Sequence, residues 1–250
     1  MKLSQLLSLI EKIADDKGIS APYIVGGVPR DKVMGKLFEL SDIDLTTGDE
    51  GIKYLAKELA IKLGANANYQ VMPDGHARIT IGTLKLDFSS NFRAPNIETI
   101  LKGMGIKNPS EIQQELYSRD FTCNTLLMSL NLKEIQDPTG LAVGDIKKRI
   151  LKTCLKPEIT LGIDNRRVVR IIYLSAKLQF EVDPEIIAWV KDNPESIANV
   201  RPQYLIKKLT KALKYDKEKT VSLLDQMGLW PHIPPLKELL PYMTGNIKRI

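Results

Sequence analysis

Apolar residues along this chain recur first at helical spacing, then in alternation, then at helical spacing again. Leu3, Leu6, Leu7, Ile10 and Ile13 fall three or four apart, which places them on one face of a helix over 3–14. Tyr23–Val25 is a short apolar run that meets Gly26-Gly27, so a strand, a tight turn and a helix starting near Pro29 are expected. Proline is acceptable in a first helical turn because its missing N–H has no intrahelical partner there. In SDIDLTT the order Asp42, Ile43, Asp44, Leu45 has the period of a strand with one buried face. EGIKYLAKELAIKLG reads as an amphipathic helix stopped by Gly64. The stretch NYQVMPDGHARITIGTLKLDFSS reads as a meander with turns at Pro73-Asp74-Gly75 and near Gly82. Residues 91–108 have weak periodicity with Gly, Pro and Asn and are expected to form a long mobile loop; a helical pattern resumes over 109–131.

From Leu161 onward strand signals stop, and helices are expected over 164–178, 184–192, 202–214, 217–227 and 235–243. This change predicts two domains: an α/β (α+β) domain with a small mixed sheet over 1–158, and an all-helical domain over 159–250. There is no internal repeat and no low-complexity tract.

Composition narrows the chemistry. A chain of 250 residues with 43% apolar and 26% charged residues buries a substantial core. No apolar run has the length of a membrane span, and the first residues lack the layout of a signal peptide, so a cytoplasmic location is the expectation. Two cysteines and two histidines exclude a disulfide framework and zinc-finger spacing. A metal, if used, must be held by carboxylates. The net charge of +6 favours a polyanionic partner, and residues 204–219 concentrate six of the lysines. That run taken alone reads as a solvated helix face.

Asp42 and Asp44 lie two apart on the expected strand, so both side chains point to one face, with Cα atoms about 7 Å apart, while Ile43 turns to the core. Two carboxylates on one face repel unless a cation joins them, and oxygen-only ligation suits Mg²⁺. Asp87, near the end of a meander strand, is a candidate third member. Three such carboxylates can hold two Mg²⁺ ions about 4 Å apart. Gly26 and Gly27, between strand and helix, allow close approach of an anion to the backbone. With Arg30 between them and the aspartates, the pattern describes a nucleoside-triphosphate site. Each feature alone is common; D-x-D by itself is usually incidental.

Four ordered segments give this pattern a family likeness. GGVPRD followed by SDIDL resembles the signature of polymerase-β-like nucleotidyltransferases, in the branch of tRNA CCA-adding enzymes and bacterial poly(A) polymerases. SRDFTCNTL (118–126), DPTGLAVGDIKKRILKT (137–153) and IDNRRVVRIIYLSAKLQF (163–180) resemble that branch's second, third and fourth motifs. The resemblance covers about residues 20–180, and four motifs in order are far more specific than one. It implies a nucleotidyltransferase head followed by a helical neck that contacts RNA. It also implies Mg²⁺-dependent addition of CMP and AMP from CTP and ATP to an RNA 3′ end, with the tRNA 3′ end as acceptor. Poly(A) addition and a non-catalytic RNA-binding module that keeps the head fold are the alternatives.

By that resemblance Asp42, Asp44 and Asp87 would bind metal, and Gly26, Gly27 and Arg30 would hold the triphosphate. Arg119, Asp120 and Asn124 match nucleotide-contacting positions, Asp120 through ribose hydroxyls. Asp164 and Arg167 match the pair that reads the incoming base. Three residues apart on a helix, a carboxylate acceptor and a guanidinium donor share a face and can mimic a Watson–Crick edge. Arg170 would reach phosphate, and Lys207, Lys208, Lys211 and Lys214 would track the RNA backbone. The chain departs from the family at Ile163 (usually Glu), Tyr173 (usually Arg) and Ser118 (usually Arg), and it ends where relatives continue into further helical domains. Cys123 is expected to be a buried structural thiol and His76 a solvent-exposed turn residue.

Overall fold

The computed structural model describes residues 1–36, 40–73, 75–89 and 93–233. They divide into two compact units, Met1–Ile146 and Lys147–Ile250.

In the first unit, α1 (Leu3–Asp16) buries Leu6, Leu7, Ile10 and Ile13, the residues its spacing placed on one face. It is followed by β1 (Tyr23–Val25), α2 (Gly27–Val33), β2 (Asp42–Thr46) and α3 (Gly51–Leu63). Just before α3, Asp49 Oδ1 accepts from the Gly51 N–H at 2.9 Å and turns the chain into the helix. The meander is β3 (Asn68–Val71), β4 (Ala77–Ile81) and β5 (Leu84–Phe88). Then come α4 (Ile97–Gly103), α5 (Glu111–Tyr117), β6 (Leu127–Met128), β7 (Ile135–Gln136) and α6 (Ala142–Lys148).

The seven strands form one mixed sheet in the order β3-β4-β5-β2-β1-β6-β7. Within this sheet, among the described residues, only β2 and β5 pair in parallel; the other neighbours are antiparallel. One core gathers Leu7 and Ile10 of α1, Leu55 and Leu59 of α3, and Ile43, Leu45, Ile79, Leu86 and Phe88 of the central strands. Each such fully buried side chain stabilises the fold by about 1.5–3 kcal/mol relative to exposure. A smaller cluster joins Val25, Leu127 and Leu116 of α5.

Two local expectations are corrected. The stretch expected to be a loop over 91–108 contains α4, because Ile97 and Leu101, four apart, bury one helical face. The helical pattern over 109–131 ends early. Leu127 and Met128 are buried and pair with Val25 and Ile24, so a continuous apolar run that suits either structure is drawn into the sheet.

The second unit comprises β8 (Ile150–Leu151), α7 (Pro157–Ile163), α8 (Arg166–Leu178), β9 (Glu181–Val182), α9 (Pro184–Asp192), α10 (Pro202–Tyr215) and α11 (Lys217–Gln226). It is helical apart from the parallel pair β8 and β9. That pair ties residues before 158 to this unit, so the compact units meet earlier in the chain than the texture change placed the boundary. α8 packs on α10, with Val168, Val169, Ile171 and Ile172 of one and Leu205 and Leu209 of the other buried. The helix expected over 235–243 lies outside the described residues. Among the described residues, no helix is long and apolar enough to cross a membrane.

Candidate active site

β2 lies between β5 and β1, and its burial alternates. Ile43 and Leu45 are 1% and 0% exposed. Because those two are fixed in the core, the period of the strand turns Asp42 and Asp44 to the opposite face, where both are exposed. The parallel register sets Asp87 beside Asp44 and Lys85 beside Asp42. The period of β2 puts Asp42 and Asp44 on one sheet face, and the register with β5 adds Asp87 to it.

Gly26 closes this face on the β1 side. Val25 is opposite Asp44, and the next residue turns with φ +80° and ψ −123°, a conformation that L side chains rarely adopt. A Cβ there would meet Asp44 Oδ2 at 2.9 Å. Gly26 is thus required by the backbone, and a side chain there would also push the Asp44 carboxylate aside. Gly27 is not required: a Cβ there would only touch the Arg30 guanidinium at 3.4 Å.

Asp87 has a close cationic partner. Arg78 on β4 is directly opposite it and binds both oxygens, Nε to Oδ1 at 2.6 Å and Nη2 to Oδ2 at 2.8 Å. The Asp87 hydrogen bonds, and then the charges of Asp87, Asp42 and Asp44, hold the Arg78 guanidinium above its ordinary pKa, against the effect of burial. His76 Nε2 lies 3.8 Å from Asp87 Oδ1 with its side chain 20% exposed. The expectation of a solvent-exposed turn histidine is corrected: pairing of β4 with β5 brings it to the carboxylate face.

Arg78 gave no motif signal, yet the hairpin carried one. A two-residue turn at Gly82-Thr83 pairs Ile81 with Leu84, and counting outward sets Arg78 against Asp87.

The second motif forms the floor beside α2. The Arg30 side chain is 4% exposed; Nη2 pairs with Asp31 Oδ1 at 2.8 Å, and Nη1 donates to Asn124 Oδ1 at 2.7 Å. Asn124 Nδ2 donates to Asp120 Oδ1 at 3.0 Å, and that oxygen also accepts from the Phe121 N–H at 2.9 Å. Arg30, Asn124 and Asp120 are therefore brought together, as links of one network, buried at Arg30 and Asn124 and half-buried at Asp120, that fixes α2 to the 120–124 segment. Arg119 pairs with Glu115 at 2.5 Å, and Glu115, 3% exposed, accepts from the Thr46 hydroxyl on β2. Glu115 was not singled out from the sequence. Its position four residues before Arg119 on one helix face was the available signal. Cys123 is fully buried, as expected of a structural thiol.

In the second unit the fourth motif is arranged differently from a shared helix face. Asp164 precedes α8 with extended backbone, φ −147° and ψ 102°. Its carboxylate accepts from the Arg166 N–H at 2.9 Å and pairs with the Arg166 side chain at 2.8 Å. Burial pushes the Asp164 carboxyl up, but the Arg166 hydrogen bonds and the charges of Arg166 and Arg167 outweigh it and hold the pKa below the ordinary value. Arg167 is 7% exposed and donates to the Thr160 carbonyl at 3.0 Å. A residue placed to cap a helix start lies outside its periodicity, so the i, i+3 argument does not apply to this pair. Arg166, to which the sequence assigned no role, takes the near contact. Asp164, Arg166, Arg201, Tyr204 and Lys207 line an open cleft of about 570 Å³.

Lys208 of α10 is half-buried, with Nζ 4.4 Å from the Tyr173 ring centroid and 5.7 Å from that of Tyr204. Burial, and then the charges of Arg170, Lys211, Lys207 and Lys177, lower its pKa to about 8. Lys207, Lys211 and Lys214 are exposed.

Among the described residues, no group of three or more His, Cys, Asp or Glu is arranged to hold a metal ion. The exposed pair Asp42 and Asp44 nevertheless fits Mg²⁺, which is commonly held by one or two carboxylates with water and substrate phosphates completing the shell.

Comparison with known proteins identifies the family of the chain. Residues 22–152 match the family described as the Poly A polymerase head domain. The A-adding tRNA nucleotidyltransferase of Aquifex aeolicus is 31% identical over 90% of this chain and 26% of its own length. The CC-adding tRNA nucleotidyltransferase of Geobacter sulfurreducens is 30% identical over 78% of this chain and 40% of its own. A solved structure of a tRNA-processing enzyme with CTP, 26% identical, aligns with a TM-score of 0.69 over 92% of this chain and 60% of that one. The chain thus spans well under two thirds of the length of these curated relatives. Matched by that family over more than half its length, the chain belongs to the Poly A polymerase head-domain family.

Proposed function

We propose that this chain is a template-independent RNA nucleotidyltransferase that adds CMP or AMP from CTP or ATP to the 3′ end of tRNA. The observation that carries the reading is the exposed pair Asp42 and Asp44 on β2, with Gly26 turned against Asp44 Oδ2. In the reaction an RNA 3′-hydroxyl oxygen forms a bond to the α-phosphorus, the bond to the β-phosphate bridging oxygen breaks, and pyrophosphate leaves. Mg²⁺ bound to Asp42 and Asp44 would neutralise the phosphate charge and favour the attacking alkoxide.

The protein's own groups position the reactants. Gly26, without a side chain, lets a polyphosphate approach the backbone beside the aspartates. Arg30, Asn124 and Asp120 form a rigid wall rather than a set of free donors. In this reading Arg30 supports the triphosphate site from within, while Asp120 offers its remaining lone pairs to ribose hydroxyls. Arg119, half-buried and held by Glu115, lies next to Asp120 in the chain. In the second unit Asp164, Arg167 and Arg170 are assigned to the base and phosphates of the incoming nucleotide, with Arg166 fixing the Asp164 carboxylate. The names of the relatives support tRNA as acceptor, and a tRNA-processing role accords with the cytoplasmic location expected from the sequence.

The test supplies tRNA lacking its terminal CCA together with CTP, ATP and Mg²⁺, and reads the products at nucleotide resolution. Addition of C, of A, or of the full C-C-A, abolished in Asp42→Ala, is the expected result. Long A tracts would identify a poly(A) polymerase instead. Absence of pyrophosphate release with every acceptor would leave an RNA-binding module.

A further inference from the structure

In the second unit, α8 and α10 meet at their solvent side in a line of cations and aromatic rings. Every residue of α8 is buried except Arg166, Arg170, Tyr173 and Lys177, whose spacing puts them on one helix face. On α10, Tyr204, Lys208, Lys211 and Tyr215 repeat that spacing. The two lines touch. Lys208 Nζ lies 4.4 Å from the Tyr173 ring centroid and 5.7 Å from that of Tyr204, and Arg170 donates to the Tyr204 hydroxyl. Tyr215 meets Tyr173 edge to face, with centroids 6.0 Å apart. Rings and cations are thus interleaved along a seam about 16 Å long. Asp164 and Asp216 stand just beyond its two ends and are engaged there. Asp164 is held by Arg166, and Asp216 accepts from the Lys219 N–H at 2.9 Å and from Gln179 Nε2 at 3.0 Å.

Like charge accumulates within the seam. Burial, and then the positive charges of Arg170, Lys211, Lys207 and Lys177, disfavour the Lys208 ammonium. An anion laid along the seam relieves that repulsion. A polynucleotide supplies phosphates for the cations and flat π faces for the rings. A duplex keeps its base faces inside the stack, so the rings can serve only an unpaired strand.

We propose that the α8–α10 seam is a track for single-stranded RNA, with phosphates on Lys208 and Lys211 and an unpaired base stacked on Tyr215. The inference rests on the nucleotidyltransferase reading for its choice of RNA, and it makes an unpaired segment, rather than a paired stem, the part of the acceptor that this unit recognises. Tyr215 is 53% exposed, as a stacking platform must be. Tyr173 is a positioning residue: its ring holds Lys208 and supports Tyr215 from the side.

The test measures binding of a short fluorescein-labelled single-stranded RNA to the full chain by fluorescence anisotropy, without nucleotide or turnover. Single-stranded RNA is expected to bind more tightly than a duplex of the same sequence. Tyr215→Ala should weaken the single strand by about fivefold or more, the loss of one stacked base, and leave the duplex unchanged. Tyr215→Phe, which keeps the ring, should bind as the wild type does. Lys208→Met should reduce the slope of log affinity against log salt by about 0.7. Circular dichroism establishes that each variant is folded; if Tyr215→Ala is not, Lys208→Met and the comparison of strand with duplex decide. Equal affinity for duplex and single strand would overturn the proposal, and so would unchanged binding in Tyr215→Ala, which would leave a charged face alone. Either result leaves nucleotide incorporation, and its loss in Asp42→Ala, intact. A protein that binds neither RNA and releases no pyrophosphate would fail both readings.

Discussion

At Gly26 one residue decides whether the two halves of the site can meet. Its φ of +80° costs a non-glycine residue about 1–3 kcal/mol, and a Cβ would be forced to 2.9 Å from Asp44 Oδ2. Gly26→Ala is therefore expected to lower the melting temperature by several degrees and to cut nucleotide incorporation at least tenfold, whereas Gly27→Ala should be mild. Equal behaviour of the two variants in thermal melts and incorporation assays would contradict this account. The GG signal was legible in the sequence, but which of the two glycines is indispensable was not. That depends on the neighbouring strand, which contributes Asp44 from beyond an intervening helix. Arg30 gives the opposite lesson. Its place in the motif suggested a free donor to phosphate, and burial made it a bridge between Asp31 and Asn124.

Among elements, short apolar strands and capped helices followed their local pattern, and departures arose where an element's partner was remote. β1 and α9 have the bounds their patterning implied, Tyr23–Val25 and Pro184–Asp192. Leu127–Met128, by contrast, became a strand because β1 offered an unpaired edge, a fact no window of sequence contains. The α8–α10 pair has a measurable electrostatic consequence. Lys208 is charged below about pH 8 in the folded protein but below its ordinary value of 10.5 in the unfolded chain. Folding thus disfavours its protonated form, and the resulting loss of stability is fully present below pH 8 and fades as pH rises through 10.5. Lys208→Met should stabilise the protein at pH 7 by about 1 kcal/mol after allowance for solvent screening and the lost ring contacts. Chemical denaturation at pH 7 and pH 10.5 checks it; a gain that grew with pH would have the wrong sign.

The whole molecule carries a net charge of +6, and α10 presents exposed lysines at 207, 211 and 214. A polyanion held by such groups releases counterions, so on the proposed function tRNA affinity should fall steeply with salt. Each of Lys207→Ala, Lys211→Ala and Lys214→Ala should reduce the slope of log affinity against log salt by about 0.7–0.9 where that lysine meets a phosphate. Fluorescence titrations between low and moderate salt measure the slope, and an unchanged slope in all three would remove α10 from the RNA interface. The division into units also belongs to this scale. The sequence showed a change of texture near 158, but pairing of Ile150–Leu151 with Glu181–Val182 moved the preceding segment into the second unit.

By itself the sequence determined the family, the helices and strands with clear periodicity, and the common face of Asp42 and Asp44, because each depends on residues close together in the chain. Tertiary structure alone decided the pairing of Asp87 with Arg78, the burial of Arg30, and the attachment of Asp164 to Arg166 rather than to a helical neighbour. Those outcomes turn on which charged groups lose water together when strands and helices pack. A carboxylate excluded from solvent binds the cation that packing delivers, whatever its motif suggests.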